Sequence, residues 1–291
     1  ALRNLVLNQK TLHSLIQPQY HTLFGSAAVP ICTFVIRTSQ VPGYEASFVK
    51  LTDFYGSELQ PKKTLEAIRN PDCGWFFRAK PDNFKLIPGS PLAYNAPPSV
   101  FRLFSSEDSN SKICEKRLGL CTGDNDRFLR YWHEVSYPLI GFQYTSYAAF
   151  SRGRANRYAP HNKGGAFRRW TGNKDFVIKF DSESYEALSR LCNHLASKSH
   201  YFKESLTWTE ISSSTFSMRA LSPGYTFNIK GPSIFCQESR KLYLLAYFNS
   251  STFGYLLGFL NQTISFNGGD VERIPFKEIG RVERGQIEAN V

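Results

Sequence analysis

Seven of the chain's 15 prolines fall between residues 56 and 99: Pro61, Pro71, Pro81, Pro88, Pro91, Pro97 and Pro98. Each proline fixes one backbone torsion and removes an amide donor, so no long helix or interior strand can cross such a stretch. The prolines therefore divide the chain into residues 1–55, an irregular connector over 56–99, and a larger region over 100–291. One helix is expected inside the connector, over residues 62–69.

The two flanks read differently. Leu2, Leu5 and Val6 repeat at the spacing of one helical face. Apolar runs follow at residues 12–16, 29–36 and 46–51, the second rich in β-branched residues, with a Gly25-Ser26-Ala27 turn between the first two. A helix and then successive strands is how the later half of an open α/β sheet reads. Beyond residue 100 the pattern is mixed α/β. Helices are expected over 126–135, 182–198 and as a pair across 242–260, and strands over 176–180, 217–220, 225–229 and 273–276. Residues 242–260 are apolar enough for a membrane span, but Asn249-Ser250-Ser251-Thr252 lies at the centre, where a bilayer offers no partners. Two short helices joined by a polar turn fit better, and the expectation is a cytoplasmic protein without a membrane anchor. The first residue is not Met and the first helical pattern starts in mid-register, so the chain is expected to be a fragment.

Hydrophobic residues at 42% and aromatics at 15% exclude a disordered tail. A net charge of +11 favours polyanionic partners. The six cysteines form no C-x-x-C pair and no cluster with histidine at zinc spacing, so free thiols and no metal are expected. The histidines show no spacing for a triad.

The densest basic stretch, residues 151–174, holds Arg152, Arg154, Arg157, Lys163, Arg168, Arg169 and Lys174 with no carboxylate until Asp175. Tyr158, Phe167 and Trp170 are interleaved, and Gly164-Gly165 would let the backbone approach a partner closely. Arginine forks suit phosphate oxygens and guanine edges, and aromatics can stack or wedge. A solvated basic loop anchored by its aromatics explains the same residues. Adjacent Arg168 and Arg169 would point to opposite faces of an extended strand, so one of the two is expected to be a contact. A second cluster is Thr122-Gly123-Asp124-Asn125, where Asp124 or Asn125 can cap a helix carrying Arg127 and Arg130; phosphate binding and plain capping both account for it. The third cluster is the Ser/Thr-rich turn around Ser212 and Ser213. No Gly-rich cofactor loop follows a strand, and Asn95-Ala96-Pro97-Pro98 lacks the order and the aromatic of an amino-methyltransferase catalytic loop.

Taken together, Thr122 to Val135, Pro160 to Asn173, Tyr201 to Arg219, Gly231 to Phe235, Asn261 to Thr263 and Gly269 to Pro275 resemble, in order, successive motifs of the PglX-type adenine-specific DNA methyltransferases of BREX phage-defence systems. More broadly they are similar to single-chain restriction-modification methylases with TaqI-like specificity domains. The resemblance implies that residues 1–55 are the last helix and strands of a Rossmann-like methyltransferase sheet, and that 100–291 is an α+β target-recognition domain. It implies that Phe24, ahead of the hairpin at 23–37, helps hold the flipped adenine. It further implies a parent enzyme that uses S-adenosylmethionine on adenine N6 of double-stranded DNA, with neither cofactor nor catalytic residues in this piece. The implied DNA-contact set is Thr122, Asn125, Arg127, Arg130, Arg157, Lys163, Gly164, Gly165, Arg168, Arg169, Trp170, Ser212, Ser213 and Lys230. The competing reading is a protein-interaction module that docks other defence-system subunits or an inhibitor.

Overall fold

A computed structural model describes residues 2–19, 31–261 and 263–291. The chain divides into two compact units, Ala1–Ser106 and Glu107–Val291.

In the first unit, helix α1 (Leu2–Gln9) buries Val6 and Leu7 and leaves Leu2 and Leu5 exposed. Strand β1 (Thr11–Gln17) pairs antiparallel with β2 (Thr33–Arg37) and parallel with β3 (Ala46–Lys50). Residues 56–99 are more than a connector. They supply α2 (Leu59–Arg69) and β4 (Phe76–Ala79), which extends the sheet to the order β2-β1-β3-β4. Helix α3 (Pro98–Ser106) closes the unit. The prolines interrupt regular structure, yet the apolar residues among them still pack. Phe84, Ile87 and Ala93 are buried, and Tyr94 stacks on Phe48 with ring centroids 4.7 Å apart. Trp75 donates from Nε1 to the Lys63 carbonyl at 3.0 Å, which ties α2 to the start of β4. Phe24 and the turn expected at 25–27 lie outside the described residues.

The second unit holds two four-stranded sheets. One, in the order β10-β9-β12-β5, is antiparallel throughout: β5 (Cys114–Arg117), β9 (Ser205–Trp208), β10 (Met218–Leu221) and β12 (Ser233–Cys236). The other runs β11-β7-β8-β6, from β6 (Leu129–Tyr131), β7 (Tyr158–Asn162), β8 (Phe176–Lys179) and β11 (Thr226–Phe227). The short helices α4 (Asn125–Phe128) and α5 (Tyr147–Arg152) precede β6 and β7, and α6 (Ser182–Arg190) follows β8. Phe128, Phe150, Ile178, Phe180, Phe202 and Phe227 form the centre of one core.

Two expected helices end early for tertiary reasons, the strand expected over 225–229 is only Thr226–Phe227, and one expected strand does not form. The helix expected over 126–135 stops at Phe128, because Leu129 to Tyr131 pair with Ile178 to Phe176 of β8. The helix expected over 182–198 stops at Arg190. Beyond it Asn193 donates to the Gly119 carbonyl and accepts from the Cys121 amide, and Leu195, in the left-handed region at φ 55°, turns into the core. The strand expected over 273–276 is the end of α9 (Gly268–Arg273) and an isolated bridge from Pro275, which has no amide to donate to a ladder. The apolar stretch 242–260 is two helices, α7 (Lys241–Asn249) and α8 (Ser251–Leu260), with Ser250 capping the second. The chain ends in α10 (Arg281–Glu288). No helix among the described residues is long and apolar enough to cross a membrane.

Asn249 is more than a turn residue. Its side chain accepts from the Met218 amide at 3.0 Å and donates to the Met218 carbonyl at 2.9 Å, completing β10 from the helix side. Asn249→Leu strands the Met218 amide in a buried site and leaves its carbonyl only the Trp170 amide, so it should lower unfolding free energy by roughly 1–3 kcal/mol in urea titration.

His161 is fully buried in β7, with Nδ1 2.8 Å from the Thr226 hydroxyl and Nε2 unpartnered. Burial, helped by the nearby Lys163 charge, pulls its pKa from 6.5 down to about 3. The unfolded chain thus takes up a proton where the folded chain does not, and stability falls as pH drops from 6.5 toward 3. Between pH 7 and 4.5 the His161 share of that loss is on the order of 2–3 kcal/mol. In His161→Gln the pH dependence of urea unfolding should flatten by that amount.

Candidate nucleic-acid interface

Strands β7 and β8 form a hairpin, and residues 163–175 are the loop that crosses its end. Four of the five β7 residues are buried. The chain then surfaces abruptly, because residues 165–171 are all exposed. This loop is the centre of the basic stretch seen in the sequence.

The loop is built rather than slack. Gly164, at φ +86°, lies so close to the Lys230 carbonyl that a Cβ would sit 2.5 Å from the oxygen. The close approach that Gly164 permits is thus to the protein's own backbone. Gly165, at φ +124°, faces the Asn173 side chain, and Asn173 donates to the Ala166 carbonyl at 2.8 Å, closing the loop on itself. Trp170 is left-handed at φ 71°, a conformation that a bulky residue holds only under outside constraint. The constraint is β10: the Trp170 amide donates to the Met218 carbonyl at 3.3 Å, and the Ala220 amide donates to the Trp170 carbonyl at 2.8 Å.

Within this frame Arg168 and Arg169 are exposed, and neither forms an ion pair among the described residues. The Arg169 guanidinium lies over Phe167 at 5.5 Å, and the Lys163 ammonium lies over Phe176 at 5.1 Å. Lys230 stands beside Gly164 but is paired with Glu210 at 3.0 Å. Arg130, on β6, borders β8, and its guanidinium donates to the carbonyls of Asp126 and Leu129.

The remaining sequence-derived residues show no hydrogen bond, ion pair or ring contact with the loop among the described residues, and most are engaged locally. Arg157 precedes β7, at the opposite end of the strand, about 16 Å away at the usual rise per residue. Thr122 is buried, and its hydroxyl is 2.5 Å from Asn125 Oδ1. Asp124 is the cap, accepting from the Arg127 amide at 3.0 Å, and Arg127 lies over Phe128 at 4.8 Å. Ser212 accepts from the Ser214 amide within its own turn, and Ser213 is exposed. Among the described residues, no group of three or more His, Cys, Asp or Glu is arranged to hold a metal ion.

Two features went unselected in the sequence. Tyr131, Trp132 and Tyr137 are large exposed aromatics, and Tyr131 stacks on Phe176 at 4.8 Å, at the root of the loop. Arg219 is fully buried in β10. Its signal was a charge inside an otherwise apolar strand pattern.

No protein-family model matches the chain. It is 33% identical over 260 residues to the adenine-specific methyltransferase PglX of Lacticaseibacillus casei (strain Zhang), covering 86% of this chain and 21% of the relative. It is 30% identical over 280 residues to the adenine-specific methyltransferase BrxX of Escherichia coli O9:H4 (strain HS), covering 94% of this chain and 22% of the relative. The chain therefore spans about a fifth of the length of the curated relatives it matches. Among solved structures it is similar to the type IIG restriction endonuclease BpuSI, with a TM-score of 0.36 and 9% identity over 99% of this chain and 39% of that one.

Gly164→Ala tests how the loop is seated. The new Cβ meets a backbone oxygen rather than a movable side chain, and the residue keeps a left-handed φ. The variant should lose roughly 2–4 kcal/mol of stability, and limited proteolysis should cut first between residues 163 and 175.

Proposed function

We propose that this chain, a homologue of one stretch of the PglX and BrxX adenine-specific methyltransferases, is the part of such an enzyme that grips and reads double-stranded DNA. The observation that carries the reading is the β7–β8 loop, which holds Arg168 and Arg169 in solvent without carboxylate partners on a backbone fixed by Gly164, Trp170 and Asn173. Unpaired guanidinium groups on a rigid loop suit phosphate oxygens, which position a duplex, and guanine edges, which carry sequence. Lys163, Gly165 and Lys230 border them. Thr122, Asn125, Gly164 and Arg157 are left out of the contact set by their burial, their local bonds or their place at the far end of β7.

In this reading the longer protein transfers a methyl group to an adenine taken out of the stack, in a bacterial defence system of the BREX or restriction-modification kind. Phe24 keeps its proposed place against the flipped base. The cavity of about 300 Å³ in the first unit is lined by Leu2, Val6, Leu7, Leu12, Leu15, Phe34 and Leu92, with Arg3 and Cys32, and no carboxylate lines it to receive the ribose hydroxyls or the ammonium of S-adenosylmethionine. The reading places cofactor binding and methyl transfer in other residues of the longer protein.

The exposed aromatics Tyr131, Trp132 and Tyr137 favour a second reading, a docking face for another defence-system protein. The two readings separate on salt. Each DNA phosphate contact contributes about 0.9 to the slope of log affinity against log salt. Arg168→Ala or Arg169→Ala in the full-length protein should lower that slope by about that amount, or relax preference at one base pair, while the melting temperature stays unchanged. Wild-type slope and preference in both variants, with a stoichiometric protein complex intact, would favour docking.

A further inference from the structure

Among the described residues, Arg219 is the only lysine or arginine in the buried class. It has no carboxylate partner there. Its Nη2 donates to the Thr209 hydroxyl at 3.3 Å, and Nε and Nη1 have no hydrogen-bond partner among the described residues. Burial lowers its pKa to about 10, so it remains charged at neutral pH. An unpaired buried charge is strongly disfavoured and is normally removed unless it has a use.

Its place in the fold suggests that use. Arg219 lies opposite Thr207 in the β9–β10 register, and the Thr207 hydroxyl accepts from Asn162 at the end of β7. Thr209, the one partner of the guanidinium, is in van der Waals range of the Cβ position at Gly164, the first glycine of the basic loop. The backbone of Arg219 is bridged to Trp170, the strained residue of the same loop. A guanidinium with spare donors therefore sits at the root of the loop, and the contact that pins the loop across its strand is held in an unfavourable conformation.

We propose that Arg219 is a further DNA-contact residue held in reserve: when the loop engages DNA, Trp170 leaves β10, the loop lifts, and the Arg219 guanidinium takes an oxygen acceptor of the duplex. The acceptor is a phosphate oxygen or guanine O6, both met by the same donors. The inference rests on reading the loop as the DNA interface. It goes further in naming a residue that the closed loop conceals.

The test uses the full-length protein that carries this chain. Arg219→Met removes the buried charge at similar length, so the variant should melt at or above the wild-type temperature and still bind DNA more weakly. A phosphate contact shows as a fall of about 0.9 in the salt slope. A guanine contact leaves the slope intact and relaxes preference at one base pair by roughly 5- to 150-fold. Independently of any variant, hydrogen exchange at the Ala220 amide, which is bonded to the Trp170 carbonyl, should accelerate when DNA binds. Wild-type affinity, slope and preference in Arg219→Met, alongside weakened binding in Arg168→Ala or Arg169→Ala, would overturn this inference and leave the loop reading standing. If Arg219→Met does not fold, unchanged Ala220 protection on DNA overturns it instead. Loss of both, with no loop variant affecting DNA, removes the reading and the inference together.

Discussion

The geometry of the candidate interface depends on one buried polar junction. At the end of β7 the Asn162 side chain donates to the Thr207 hydroxyl at 2.7 Å and to the Gly231 carbonyl at 3.1 Å, and Thr207 in turn donates to the Pro232 carbonyl at 2.7 Å. These bonds join one sheet of the second unit to the start of β12 in the other. Each donor would be costly to leave unmade in so buried a place. Two residues later the chain passes Gly164 against the Lys230 carbonyl and emerges as the loop. The position of the exposed arginines is thus set by a bolted joint at one side and by the Trp170 pairing with β10 at the other. Until the Trp170 contact opens, the two ties hold the loop's side chains in a fixed register for the first contact with a partner.

The same joint explains what could be read from the sequence and what could not. Local signals were legible where local physics decides. The helical spacing at Leu2 to Val6, the polar interruption at Asn249 to Thr252 and the cap at Asp124 all describe interactions within a few residues, and a helix starts or breaks at each, though α1 buries Val6 and Leu7 rather than Leu2 and Leu5. The misread segments are those whose partners are distant. Leu129 to Tyr131 could equally extend a helix, until Ile178 supplies a strand to pair with. Asn193 looks like any helical surface residue, until the backbone at Gly119 and Cys121 claims its side chain. The prolines of 56–99 were read as a boundary, whereas Phe84 and Tyr94 between them pack on Phe48.

For the candidate site, composition marked a segment but could not assign roles within it. Runs of Arg, Gly and aromatic residues mark the loop well enough. They cannot say that Gly164 answers to a neighbouring carbonyl, or that Lys230 is neutralised by Glu210 while Arg168 and Arg169 are not. Pairing depends on residues dozens of positions away. It is also what separates a cation available to a polyanion from one already satisfied.

This distinction matters more than the net charge of +11. Lys50, Lys63, Lys85, Lys112 and Lys241 each sit within 4 Å of a carboxylate, and such pairs contribute little to any long-range field. Cations without an ion pair among the described residues, such as Lys62, Arg69 and Arg102, are found along the whole chain. The hairpin end is distinct in setting Lys163, Arg168 and Arg169 at the surface and Arg219 beneath them. Water screens the first three, but the low-dielectric interior leaves the field of the fourth largely intact. A phosphate approaching the loop therefore meets more positive potential than the surface residues alone provide. An excess of charge spread over the surface favours no one place on it; a charge buried beneath one fixed loop adds to the potential at that loop alone.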